Sequence, residues 1–201
     1  MDKGTKTKDL NIVIAGIGGQ GLITLLKIIT EAALAEGYDV ATSELHGLAQ
    51  RGGSVEVHIR SGKEIYSPLV RQGGADLIIS LEAQEALRVS YFGSKEAGTI
   101  FLVNDFLSPI SGSKKTPSMD DIIKELQKVS QKAISISANQ ILQKELGTQV
   151  TGGIFLLFYA SFRNQIHLRP DSMIEAMKKV IPEKYLEINL KTIELARAYK
   201  D

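Results

Sequence analysis

The sequence predicts an α/β fold of three layers, with a mainly parallel but mixed sheet and a helical C-terminal portion from about residue 151. Three observations carry this. Compact apolar runs alternate with helix-length amphipathic segments over the first 150 residues or so. The first run ends in a glycine-rich turn that opens a helix. Beyond Thr151 the pattern is helical only. With 201 residues and a formal charge of +1, the chain suits one domain spanning 1–201 with its own core.

Leu10 to Ala15 (LNIVIA) reads as a strand buried on both faces. From Gly19 to Glu36 the apolar residues Leu22, Leu25, Leu26, Ile29, Ala32 and Ala33 line one side of a helix, which Gly37 ends. Asp39 to Thr42 follows as a second strand, and the order strand, helix, strand implies a parallel βαβ unit with a right-handed crossover. Ser43 to Gly53 (SELHGLAQRGG) is expected to be a polar loop. Ser54 to Arg60 alternates as a half-buried strand, with Val55, Val57 and Ile59 on one face. Ser61-Gly62-Lys63 is then a tight turn, and Glu64 to Ser67 a hairpin partner that makes the sheet mixed.

Ala75 to Leu81 is a further buried strand, followed by a helix over Glu82 to Tyr91 with an acidic first turn. Thr99 to Asn104 is a strand and Asp105 to Pro117 a loop. Ser118 to Ser130 is helical, with Ser118 and Asp121 at capping-box spacing. Lys132 to Ser135 completes the sheet, and Asn139 to Leu146 is a short helix ended by Gly147. Ile154 to Phe162, Asp171 to Val180 and Glu183 to Tyr199 are the closing helices, the last begun at Pro182.

Composition excludes several function classes. There is no cysteine, so this chain forms no disulfide, holds no iron–sulfur cluster through thiolates and offers no cysteine nucleophile. A near-neutral charge gives no electrostatic footprint for nucleic acid. The polar N-terminus (MDKGTKTKDL) lacks the apolar core of a signal peptide, and no run approaches the length of a membrane helix, so a cytoplasmic protein with no membrane partner is expected. The three histidines lack metal-ligand spacing, so no metal site is expected.

Two motifs carry the functional argument. Gly16, Gly18 and Gly21, with Gly19 and Gln20 between them, satisfy G-x-G-x-x-G between a strand and a helix. Such a Rossmann-like turn lets backbone approach a phosphate, which the helix N-terminus attracts. Glu44 stands near the position of a ribose-binding acid. A dinucleotide site and a ligand-free tight turn are both open on these residues. Gln20, after a double glycine, is unusual for a dinucleotide fingerprint and can bind a neighbour or a ligand. The second motif runs Glu44-Leu45-His46-Gly47 to Gln50-Arg51-Gly52-Gly53. Arg51 beside two glycines can grip a carboxylate or phosphate in bidentate fashion, or a subunit. His46 reads as a loop residue that supports its own backbone, with proton transfer as the alternative. Glu82 and Glu85 are acid–base candidates, but helix-start stabilisation is the plainer reading. Asn104-Asp105 lies at a strand end where open sheets place ligands, or simply caps the strand. Thr151-Gly152-Gly153 resembles an N-cap with close packing.

Together GIGGQG, TSELHGLAQRGGSVEVHIR, IYSPLV and ADLIISLEAQEALR resemble the gamma-type component of the 2-oxoacid:ferredoxin oxidoreductases, most closely the beta chain of the indolepyruvate branch. HGLAQRGG is the more specific phrase. The resemblance implies a subunit, inactive alone, of an enzyme that oxidatively decarboxylates a 2-oxoacid such as an aryl pyruvate. That enzyme forms an acyl-CoA and CO2 and reduces ferredoxin. It places thiamine diphosphate and the iron–sulfur clusters on a partner alpha subunit, with CoA as co-substrate of the complex. It assigns no catalytic residue here. Gly16, Gly18, Gly19, Gln20, Gly21, Glu44, His46, Gln50, Arg51, Gly52 and Gly53 match its motifs as binding or interface positions. A free-standing NAD(P)-binding oxidoreductase and a ligand-free scaffold subunit are the competing expectations.

Overall fold

The computed structural model describes residues 9–47, 52–108 and 117–200. Six strands form one sheet in the order β2-β3-β1-β4-β5-β6. They are β1 (Leu10–Ile17), β2 (Asp39–His46), β3 (Ser54–Gly62), β4 (Leu77–Ser80), β5 (Ile100–Asn104) and β6 (Lys132–Ile136). β1, β4, β5 and β6 run parallel, while β3 is antiparallel to both β1 and β2. The sheet is therefore mixed and mostly parallel, as its sequence pattern predicts.

Its layers follow from the two-residue period of a strand. Ile12 and Ile14 of β1, with Val57, Ile59, Leu77, Ile79 and Leu102, face one core. Over that core lie α1 (Leu22–Ala35), α4 (Ala138–Leu146), α5 (Gly152–Phe162), α6 (Pro170–Val180) and α7 (Leu186–Ala198). Val13, Ala15, Ile78, Phe101 and Val103 face a smaller core, closed by α2 (Ala83–Arg88) and α3 (Met119–Leu126). α5 is apolar all round because it is the inner helix: every residue from Gly152 to Ser161 is buried. Its glycines lie inside the helix rather than before it, and a Cβ on Gly153 would press Leu25 of α1 at 3.0 Å.

The strand ladder departs from the expected order at β2. This strand does not pair with β1: β3 lies between them, and β2 runs parallel to β1 only through two antiparallel steps. The strand also continues to His46, so Ser43 to His46 is ladder rather than loop. Polar side chains are tolerated there because β2 is an edge strand, with no residue fully buried. β3 likewise extends through Gly62, and residues 64–67 form no hairpin strand. Glu64 to Ser67 instead crosses the sheet end, where Ile65 N–H donates to Asp39 Oδ2 at 2.8 Å and Arg60 Nη1 donates to the Ser67 carbonyl at 3.0 Å.

Helix ends follow their signals more closely. Ser118 accepts from Asp121 N–H and caps α3. Gly147 ends α4 at φ +68°, and Pro170 occupies the first turn of α6. The segment after β4 is two pieces, α2 and a 3-10 turn at Ser90–Phe92, and a second 3-10 turn at Glu183–Tyr185 precedes α7.

Candidate functional site

The glycine turn joins the carboxyl end of β1 to α1, and Gln20 braces it from within. Gln20 Oε1 accepts the Ile17 N–H at 2.8 Å, and Nε2 donates to the Leu81 carbonyl at 3.3 Å. A Cβ on Gly16 would sit 2.6 Å from that same Oε1, so the glycine makes room for the glutamine. Gly19 and Gly21 have φ of +102° and +82°, which ordinary side chains resist. The helix that follows has no side-chain cap and no acid in its first turn. Thr24 N–H closes back on the Gly21 carbonyl at 3.0 Å, and the N-terminal end of the helix dipole suits an anion.

The two sequence motifs meet here. Gly18 N–H donates to the Gly53 carbonyl at 2.8 Å, and Gly52 N–H donates to the Gly18 carbonyl at 3.4 Å. One arm of the turn is thus committed to the second motif. Glu44 and His46 are exposed on β2 and line a cleft of about 450 Å³ with Gly18, Gly19, Leu22 and Ile23. His46 Nδ1 lies 3.3 Å from the Gly47 carbonyl, in keeping with local backbone support. Gln50 and Arg51 lie outside the described residues. Glu44 shares the cleft with the turn, but β3 separates its strand from β1, unlike the adjacent-strand arrangement of a dinucleotide fingerprint.

A larger cavity of about 560 Å³ opens on the other side of the turn. Gly19, Gln20 and Thr24 form one wall; Thr151, Ile181 and Asn189, from the closing helices, form the other. Sequence reasoning missed this wall, because its residues are scattered over three segments and carry no charge. Thr151 holds the N-cap position of α5 without capping it; its hydroxyl bonds Thr192 of α7 at 2.8 Å.

The remaining candidates are structural braces. Glu82 is buried and caps α2, with Oε2 accepting from Glu85 N–H and Oε1 from Ser108 N–H, both at 2.9 Å. Asn104 is buried and donates to the same Leu81 carbonyl that Gln20 reaches, at 3.3 Å. Asp105 Oδ2 accepts from Ser137 at 3.1 Å. Glu85 is buried beside the second motif, accepting from Ser54 Oγ at 2.9 Å and pairing with Arg88 at 3.1 Å. Burial pushes its carboxyl above the usual range, against the Ser54 hydrogen bond and the Arg88 charge. His58 is fully enclosed: Nδ1 accepts the Val70 N–H at 3.1 Å, which leaves Nε2 to donate to Glu56 at 2.6 Å. It is a satisfied core histidine. Among the described residues no group of three or more acidic, histidine or cysteine side chains is gathered to hold a metal.

The chain is similar to several known proteins. The indolepyruvate oxidoreductase subunit IorB of Archaeoglobus fulgidus is 40% identical over 191 residues, covering 92% of each chain. The subunit of the same name from Thermococcus kodakarensis is 33% identical over 94% of each. Among solved structures, the keto/oxoacid ferredoxin oxidoreductase gamma subunit of Geobacter sulfurreducens superposes with a TM-score of 0.67 at 18% identity, over 94% of this chain and 96% of that one. The 2-oxoglutarate:ferredoxin oxidoreductase of Magnetococcus marinus gives 0.70 at 22% identity over 96% of this chain and 31% of that one; both likenesses are of fold. The family model for pyruvate ferredoxin/flavodoxin oxidoreductase matches residues 11–199. The chain belongs to the pyruvate ferredoxin/flavodoxin oxidoreductase family.

Proposed function

We propose that this chain is the beta-type subunit of a cytoplasmic 2-oxoacid:ferredoxin oxidoreductase whose substrate is an aryl pyruvate such as indolepyruvate. The complex converts the 2-oxoacid and CoA to an acyl-CoA and CO2 and passes the electrons to ferredoxin. The carrying observation is the 40% identity, over 92% of both chains, to an indolepyruvate oxidoreductase subunit. The chain's own chemistry supports a role without a redox centre. It has no cysteine to hold a cluster, and among the described residues Glu44 and His46 are exposed on an edge strand while Glu82 and Glu85 are locked as cap and brace. Thiamine diphosphate and the iron–sulfur clusters belong, on this reading, to a partner alpha subunit. The turn at Gly16 to Gly21, with Glu44, His46, Gln50, Arg51, Gly52 and Gly53, is the face offered to the anionic substrates or to the partner.

The test is reconstitution. The purified chain alone should be colourless and inactive. Mixed with the thiamine-binding subunit, it should support 2-oxoacid-dependent, CoA-dependent reduction of a viologen dye, fastest with aryl pyruvates. NAD-dependent oxidoreductase activity of the isolated chain, with micromolar nicotinamide nucleotide binding by calorimetry, would overturn the reading. In the assembled complex, Arg51→Ala should raise the KM for CoA or the 2-oxoacid; weakened assembly with unchanged KM values would mark a purely scaffolding loop.

A further inference from the structure

We infer that β2 is the seam of a two-fold dimer, in which two copies of this chain join edge to edge into one continuous sheet. Among the described residues no strand pairs with the outer edge of β2. Its register with β3 runs unbroken from Asp39–Gly62 to His46–Val55. The strand (DVATSELH) holds no proline, lysine or bulge, three of the devices that keep an edge from pairing, and its charges are two carboxylates, Asp39 and Glu44. A regular eight-residue edge of this kind is a template for another strand.

The occupant is argued from self-complementarity. A two-fold axis perpendicular to the sheet makes the new pair antiparallel and keeps each face continuous. Centred on Thr42, it sets Thr42 opposite its own copy, Ala41 opposite Ser43, Val40 opposite Glu44 and Asp39 opposite Leu45. No like charges face each other, and Thr–Thr pairs are favourable. Leu45, 47% exposed, then lies beside Tyr66 of the other copy, 90% exposed and next to the Ile65 that binds Asp39.

The helical layer fits the same operation. α1 packs against both β2 and β3, so its axis lies over the seam between them. With strands about 4.8 Å apart, the two α1 axes come about 10 Å apart, the spacing of packed helices. The flank of α1 turned toward the β2 edge is the one bearing Ile23, which shares a cleft with Glu44 and His46. The opposite flank, with Thr24, faces Asn189. Helical spacing places Lys27 and Leu34 on the edgeward flank, with Glu31 beside them; all three are exposed. Antiparallel packing brings Ile23 against Leu34 of the other copy and Lys27 against Glu31.

The absence of cysteine makes the test direct. Thr42 is exposed, so Thr42→Cys introduces a lone thiol without disturbing the core. Under mild oxidation it should cross-link to its copy, giving a species of twice 21.9 kDa, whereas Lys144→Cys on the exposed end of α4 should not. Sedimentation of the wild-type chain should give the dimer over a dilution series, and Thr42→Lys should shift it to monomer with an unchanged circular dichroism spectrum. The same measurements are made on the complex with its partner subunit. A monomeric wild type without Thr42→Cys cross-linking in either preparation overturns the proposal. So does a cross-link from the Thr42→Cys variant to the partner subunit, which would make that chain the occupant of the edge.

Discussion

The two wings of the sheet on either side of β1 are built on different terms. The β4–β5 wing is parallel and covered by helices on both faces; every residue of β4 is buried, and so are Phe101 to Asn104 of β5. The β2–β3 wing is antiparallel, covered by α1 on one face and mainly by the 63–74 crossing on the other, and its outer strand has no buried residue. Parallel strands need crossover helices, and those helices bury what they cross. Antiparallel strands need no such cover, so polar chemistry survives on them. The motif residues Glu44 and His46 lie on the wing that tolerates exposure.

This contrast can be broken by mutation. The largest effect is expected in the parallel wing. Ile79→Ala deletes a fully buried side chain and should cost about 2–5 kcal/mol in urea unfolding, the range for truncating large aliphatic core residues. At the junction, Gly16→Ala drives a methyl into Gln20 Oε1 and should cost about 1–3 kcal/mol through overpacking. Gln20→Ala removes the obstacle, so the double variant should be more stable than the sum of the single losses predicts. Additive losses in that cycle would show that the glycine is needed for another reason. In the antiparallel wing, His58→Ala strands the Val70 N–H and should cost about 1–3 kcal/mol. A loss larger than that of Ile79→Ala would mean that the antiparallel wing is the more tightly built one.

Glu85 offers a pH test at the border between the wings. Its folded-state pKa is raised above the ordinary value of 4.5, chiefly by burial. The folded protein therefore binds more protons than the unfolded chain in the window just above 4.5, and stability falls as pH rises through it. Glu85→Gln keeps an acceptor for Ser54 and should abolish that fall, so the variant gains on the wild type from pH 4.5 upward. Equal pH profiles would show that the Ser54 and Arg88 partners fully offset the burial. The smallest effect is expected at the edge, where Thr42→Lys should change the stability of the monomer by no more than about 0.5 kcal/mol.

Legibility follows the same division. Thr99 to Asn104 reads well because a strand buried on both faces is a short apolar run with abrupt polar ends. Ser43 to His46 reads as loop because an edge strand can be polar, and nothing local reveals that β3 supplies its hydrogen bonds. Both motifs of the candidate site are visible in the sequence, as is Gln20. Its partner Leu81 lies 61 residues away, and the Ser54–Glu85 contact spans 31, so neither can be read from spacing.

The sequence by itself determined the layer architecture, the glycine turn, the helix caps at Ser118 and Gly147, and the family, because each depends on residues close along the chain or on motifs whose order is preserved. Only the tertiary structure decided that β3 inserts between β1 and β2, that Gly18 is bound to Gly52 and Gly53, and that the closing helices wall the cavity beside Gln20. Those features are pairings between distant segments. Strand order and side-chain partnership are settled by which apolar faces are covered together, and no local pattern encodes that choice.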